Sequence, residues 1–172
     1  MDTGHREAAA PAPRSTGLDI AALIGFLALT LLVGRLGAAV TQPALEGWYR
    51  GLAKPSWTPP DLAFPIVWTA LYLMMALAAW LAWRRGRGVP RRAALGLWGL
   101  QLGLNALWSQ LFFGLRDPGL ALAELGLLLA VLLATLVAFR RVSRPAFWLM
   151  LPYLAWSGYA LALNAAIWRL NG

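Results

Sequence analysis

The sequence predicts an all-α integral membrane protein, a five transmembrane helix bundle, on three observations. Of its 172 residues 60% are hydrophobic and only 13% charged, about half the charged share that a soluble domain uses to solvate its surface. The apolar residues gather into five stretches near the roughly 20 residues that cross a bilayer core. The net charge of +8 comes from 15 Lys+Arg against 7 Asp+Glu, and every basic residue but Lys54 is an arginine. Most of these arginines sit in short clusters between the apolar stretches, which is a topology pattern and argues against a nucleic-acid partner. The absence of cysteine excludes disulfides, thiolate metal sites and cysteine nucleophiles. Because a lipid-exposed backbone must satisfy its own hydrogen bonds, the stretches are read as helices.

Residues 1–17, rich in Ala and Pro, read as a disordered tail, and 18–172 as one membrane domain with spans at 18–40, 65–83, 93–115, 119–139 and 146–168. The first span is longer than the h-region of a cleaved signal peptide and is retained. Arg6, Arg14, Arg84, Arg85, Arg87, Arg91, Arg92, Arg140, Arg141 and Arg144 then share one side, against Arg50, Lys54, Arg116 and Arg169 on the other. The positive-inside rule puts the N-terminus in the cytoplasm of a bacterial cytoplasmic membrane and the 41–64 loop outside. Asp19 and Arg35, toward the two ends of span one, read as interfacial or snorkelling residues.

The external loop carries Trp48, Tyr49, Trp57 and Phe64, stiffened by Pro55, Pro59 and Pro60. Long ordered loops are usually functional, and prolines reduce the entropy lost on ordering, so it reads as a lid. Span two sets Pro65, Trp68, Tyr72 and Met75 on one side, and Trp80, Trp83 and Trp168 suit the interfacial belts. Span three places Gln101, Asn105, Trp108, Ser109 and Phe112 on one face by helical spacing. Gly96, Gly99 and Gly103 fall on its opposite face as a close-packing surface, for another helix of the bundle or for a second copy of the chain.

Span four has neither Trp nor Tyr. Gly126, Ala130, Ala134 and Ala138 repeat every fourth residue and favour helix packing. Asp117 followed by Pro118 reads as an N-cap and first-turn pair. Glu124, about 10 Å further along, is protonated, paired with Arg116 or facing a pocket. Span five groups Tyr153, Trp156, Ser157, Ala160 and Asn164 on one arc. An Asn within a span needs a partner, and amide bonds between helices supply one as well as a ligand does. Three helices, each with an aromatic stripe and a few hydrogen-bonding groups, beneath an aromatic loop, point to one lidded cavity.

These residues resemble the TspO/MBR family, also called translocator proteins, tryptophan-rich sensory proteins or peripheral benzodiazepine receptors. The resemblance covers about 34–171 and is carried by WYRGLAKPSWTPP (48–60), FPIVWTALYLMM (64–75), LNALWSQLFF (104–113) and PYLAWSGYALALN (152–164). It implies a five-helix bundle, usually dimeric, with a pocket open toward the first long loop that takes porphyrins, sterols and synthetic aromatic ligands. Carried over by motif, the pocket comprises Tyr49, Pro59, Trp68, Tyr72, Asn105, Trp108, Trp156 and Ala160, to which the stripes add Phe112 and Asn164. The animal sterol pattern near the end of span five, a Tyr closely followed by Lys or Arg, is absent here, since the next basic residue after Tyr159 is Arg169.

The expected function is a membrane receptor or sensor for porphyrins, or other planar apolar molecules, with membrane lipid and a second copy of the chain as further partners. No cofactor is required, and porphyrin or haem enters as ligand. The sole histidine is His5, in the tail, and there is no cysteine, so the bundle offers none of the usual axial ligands for haem iron and no metal site is expected. A light-dependent porphyrin-degrading enzyme, with Trp68 and Trp156 as redox partners, is the competing reading. A tetrapyrrole or sterol transporter would need a polar path that span four does not offer.

Overall fold

The computed structural model describes residues 16–172. The expected tail therefore lies outside the described residues, except Thr16 and Gly17, which already belong to the first helix. Five α-helices follow in order, α1 (Thr16–Glu46), α2 (Ala63–Arg85), α3 (Gly88–Ser109), α4 (Pro118–Val142) and α5 (Arg144–Asn171). A 3-10 turn, Trp48–Gly51, lies between α1 and α2, and a π-helical turn, Gln110–Gly114, extends α3. α1, α2, α4 and α5 are long and apolar enough to cross a membrane. At 22 residues, α3 also reaches the roughly 30 Å of a bilayer core. Its apolarity is lower because Arg91, Arg92, Gln101 and Asn105 lie within it, the last two buried among the other helices.

The helices form a ring in which α1 packs on α2, α2 on α5, α5 on α4, α4 on α3, and α3 returns to α1. The arginine clusters 84–92 and 140–144 therefore share one end of the bundle, and the 47–62 connection shares the other with the α3–α4 turn. Leu71, Met75, Trp98, Leu128, Leu132, Phe139, Met150 and Tyr153 fill the core near the arginine end. A smaller apolar cluster of Tyr49, Phe112, Ala121, Leu163 and Ile167 lies under the loop. Leu residues such as Leu32, Leu127 and Leu133 point outward, as they do when the surrounding solvent is lipid.

Two boundaries and one packing face differ from the sequence reading. α1 runs on through Pro43 to Glu46, so the expected 41–64 loop begins as helix. A proline there forfeits one backbone bond but leaves the turn's φ intact. Span three changes from α to π at Gln110, where Leu115 N donates to Gln110 O at 2.8 Å. Such single-turn insertions are frequent at functional sites. On α4, Gly126, Ala130 and Ala134 are exposed and Gly126 has no neighbour within 4 Å of an added Cβ. Most of the small-residue row thus faces away from the bundle, and only Ala138 packs against its core. The packed face is the row Leu125, Leu128, Leu132, Leu136 and Phe139.

The helix caps follow the sequence. Asp117 Oδ1 accepts from Leu120 N at 2.9 Å ahead of Pro118, and Ser143 plays the same part for α5. Asp19 is more than interfacial. Its carboxylate meets Arg84 Nε at 3.1 Å, and its carbonyl accepts from Trp80 Nε1 at 2.9 Å, tying α1 to α2 at the arginine end.

Candidate ligand-binding cavity

A cavity of about 460 Å³ opens at the loop end of the bundle, within the 300–1,000 Å³ usual for small-molecule sites. α2 contributes Trp68 and Tyr72, α3 and its π turn Asn105, Trp108, Ser109 and Phe112, and α5 Trp156, Ser157, Ala160 and Asn164. The 3-10 turn brings Tyr49 over the top. The three aromatic stripes of α2, α3 and α5 therefore face one space, together with every expected site residue except Pro59. Pro59 does not line the cavity, whose loop side is made instead by Asp61, Leu62 and Phe64.

The rings pack on one another as well as on the space between them. Trp108 stacks on Phe112 with centroids 5.1 Å apart and planes 24° from parallel, as aromatic rings four residues apart on one helix face can. Trp68 lies 5.4 Å from Tyr72, and Phe64 meets Trp156 edge-on at 5.9 Å. Offset and edge contacts of this kind are each worth about 0.5–1.5 kcal/mol beyond burial. They hold the rings in place before any ligand arrives.

The amides are spent largely on the frame. Tyr72 donates its hydroxyl to Asn105 Oδ1 at 2.8 Å, joining α2 to α3. Asn164 accepts from Trp108 Nε1 at 3.1 Å and donates to Pro118 O at 2.7 Å, joining α5 to α3 and α4. Both lie on the cavity wall, but Asn164 uses its oxygen and its nitrogen on protein. The helix-to-helix bonds that the sequence offered as one alternative are thus the ones these two amides make.

One wall had no chemical signal in the sequence. α1 lines the cavity with Gly34, Gly37, Ala38, Thr41, Gln42 and Leu45. A Cβ on Gly34 would stand 2.7 Å from the Tyr72 ring, closer than real side chains approach, so only glycine lets α1 close on α2 here. The detectable trace was the smallness of three residues at helical spacing.

The lid is tied down at several points. Tyr159 donates to Trp57 O at 2.8 Å, and their rings meet edge-on at 5.6 Å. Asn171 accepts from Ala53 N at 2.9 Å and donates to Ala53 O at 2.9 Å, as a paired strand would. Lys54 Nζ donates to the carbonyls of Tyr49, Arg50 and Leu52 at 2.7, 3.3 and 3.2 Å. It also stands 4.7 Å over the Tyr49 ring.

The profile of the TspO/MBR family matches residues 26–169. The chain belongs to the TspO/MBR family. It is 41% identical over 157 residues to the tryptophan-rich protein TspO of Chlorobaculum tepidum, covering 90% of this chain and 96% of that one. It is 40% identical over 150 residues to the translocator protein of Bos taurus, covering 86% and 89%. The tryptophan-rich sensory protein of Cereibacter sphaeroides is 38% identical over 158 residues, covering 90% and 94%. This TspO/MBR protein is thus an integral membrane helical bundle.

Proposed function

We propose that this TspO/MBR protein captures a porphyrin or another planar, largely apolar molecule in the lidded cavity. The reading is supported above all by Trp68, Trp108 and Trp156 reaching one space from three different helices. Flat faces on several sides favour a flat ligand, and a lid that excludes water strengthens each contact. The described bundle contains neither His nor Cys, two of the common axial ligands of haem iron, and this reading assigns recognition to the ring faces. Metal-free protoporphyrin is expected to bind within about threefold of haem, a difference of roughly 0.7 kcal/mol or less. A titration of the purified protein with protoporphyrin, haem and a sterol, followed by tryptophan quenching, measures this. The Trp68→Phe, Trp156→Phe double variant should weaken protoporphyrin about tenfold. Full affinity in that variant would remove the cavity from the account.

The arginine asymmetry supports an N-terminus in the cytoplasm and a cavity mouth on the outer face of a bacterial cytoplasmic membrane. We also infer a homodimer through α3. Gly96, Gly99 and Gly103 are exposed, and an added Cβ at any of them meets nothing within 4 Å. They therefore pack no helix of their own bundle and leave a flat strip that suits close backbone approach.

A further inference from the structure

Beneath the cavity floor the bundle buries polar atoms that no protein group satisfies. Glu124 on α4 is 8% exposed, and both its carboxyl oxygens are sealed off without a hydrogen-bond partner. It neither pairs with Arg116 nor lines the cavity, contrary to two of its three sequence readings. The Tyr153 hydroxyl on α5 and Gln101 Oε1 on α3 are likewise buried and unpartnered, both residues being 0% exposed. Gln101 stands one helical turn from Asn105 on the same face of α3.

Tyr153 connects this region to the cavity. Its hydroxyl stands near Ser157 and Asn105 without reaching hydrogen-bond geometry to either, and lies within electrostatic reach of Glu124 and Tyr72. Tyr72, Asn105 and Ser157 line the cavity, whereas Glu124, Tyr153 and Gln101 do not. The polar atoms thus lie on the far side of a shared wall, outside the space open to a large ligand.

Buried polar groups in native proteins are almost always paired, and ordered water supplies the bond where protein does not. A carboxyl within a membrane span is costly and marks function. Here three of the four unmet atoms are acceptors only when the carboxyl is ionised, and the fourth is a hydroxyl that turns either way. Their complement is a small guest that donates, and water makes the two to four bonds such a setting offers.

We propose that Glu124, Tyr153 and Gln101 bound a second, polar site that holds water, with Asn105 and Ser157 as the wall it shares with the aromatic cavity. The site is independent of which ligand the cavity takes.

Infrared difference spectra in ordinary and oxygen-18 water test the site directly. The wild-type protein should show a sharp water O–H stretch that shifts with the isotope and is lost in Glu124→Leu. Thermal unfolding adds the sign. Glu124→Leu should lower the melting temperature by several degrees, and Glu124→Gln, which keeps a hydrogen-bonding head, should stay within about two degrees of wild type. Should Glu124→Leu fail to fold, the same band must shift in Tyr153→Phe. An isotope-sensitive band unchanged in every variant would overturn the proposal. So would a melting temperature raised by Glu124→Leu, the result of deleting a bare, unsatisfied carboxyl.

Discussion

Tyr49 shows how one residue serves both the lid and the cavity. It is almost wholly buried, held by the Phe112 and Phe113 rings and by Lys54. Burial, with Asp61 and Tyr159 nearby, pushes its hydroxyl up from an ordinary value of 10.0 to about 12. In the unfolded chain the group gives up its proton near pH 10, while in the folded chain it keeps it to about pH 12. Between those values the unfolded state binds fewer protons, so stability falls as pH rises through the window and is unaffected below it. The melting temperature of the wild type should therefore drop more steeply from pH 10 to 12 than that of Tyr49→Phe, with equal values at pH 7 to 9 once offset. Parallel curves across the whole range would place Tyr49 in water. Tyr49 was legible as a cavity-lining residue through the motif that the resemblance supplied, whereas Pro59, from the same motif, stands outside the wall. Motif membership carries a residue to the neighbourhood, and only the fold decides which side of the loop it takes.

At the scale of elements, the loop is held by the end of α5, far from it in sequence. The Asn171 amide bonds both backbone groups of Ala53, and Tyr159 secures Trp57. Asn171→Ala should accelerate ligand release about threefold to tenfold in stopped-flow measurements and speed amide exchange across 47–62, with the melting temperature little changed. An unaltered release rate would show that the lid does not govern exit. This latch could not be read from the sequence, because one Asn beside a chain end carries no periodic signal. The inward faces of α2, α3 and α5 could, because Trp68, Asn105, Trp108 and Trp156 interrupt apolar stretches at helical spacing. The wall from α1 was hidden for the opposite reason, since Gly34, Gly37 and Ala38 act by what they lack. The small-residue row of α4 misled for a related reason. Small residues tolerate a close partner without requiring one, and the leucine row on the other face supplied the packing.

At the scale of the whole molecule, the five-helix order was legible because hydropathy and arginine placement act along the chain. The ring order around the bundle depends on packing between distant helices and was not. The open glycine strip of α3 bears on assembly. Gly99→Leu with Gly103→Leu should convert a detergent-solubilised dimer to monomer in light scattering coupled to size-exclusion chromatography, while protoporphyrin affinity stays within about twofold. A dimer that survives both leucines would move the interface elsewhere. The central claim, that planar ligands enter the cavity between α2, α3 and α5, is open to a direct measurement because the chain has no cysteine. A single Ala160→Cys places a thiol on the cavity wall, and a single Ala134→Cys places one on the outer face of α4. Saturating protoporphyrin should slow maleimide labelling at position 160 at least tenfold and leave labelling at position 134 unchanged. Equal labelling rates at position 160 with and without bound protoporphyrin would contradict it.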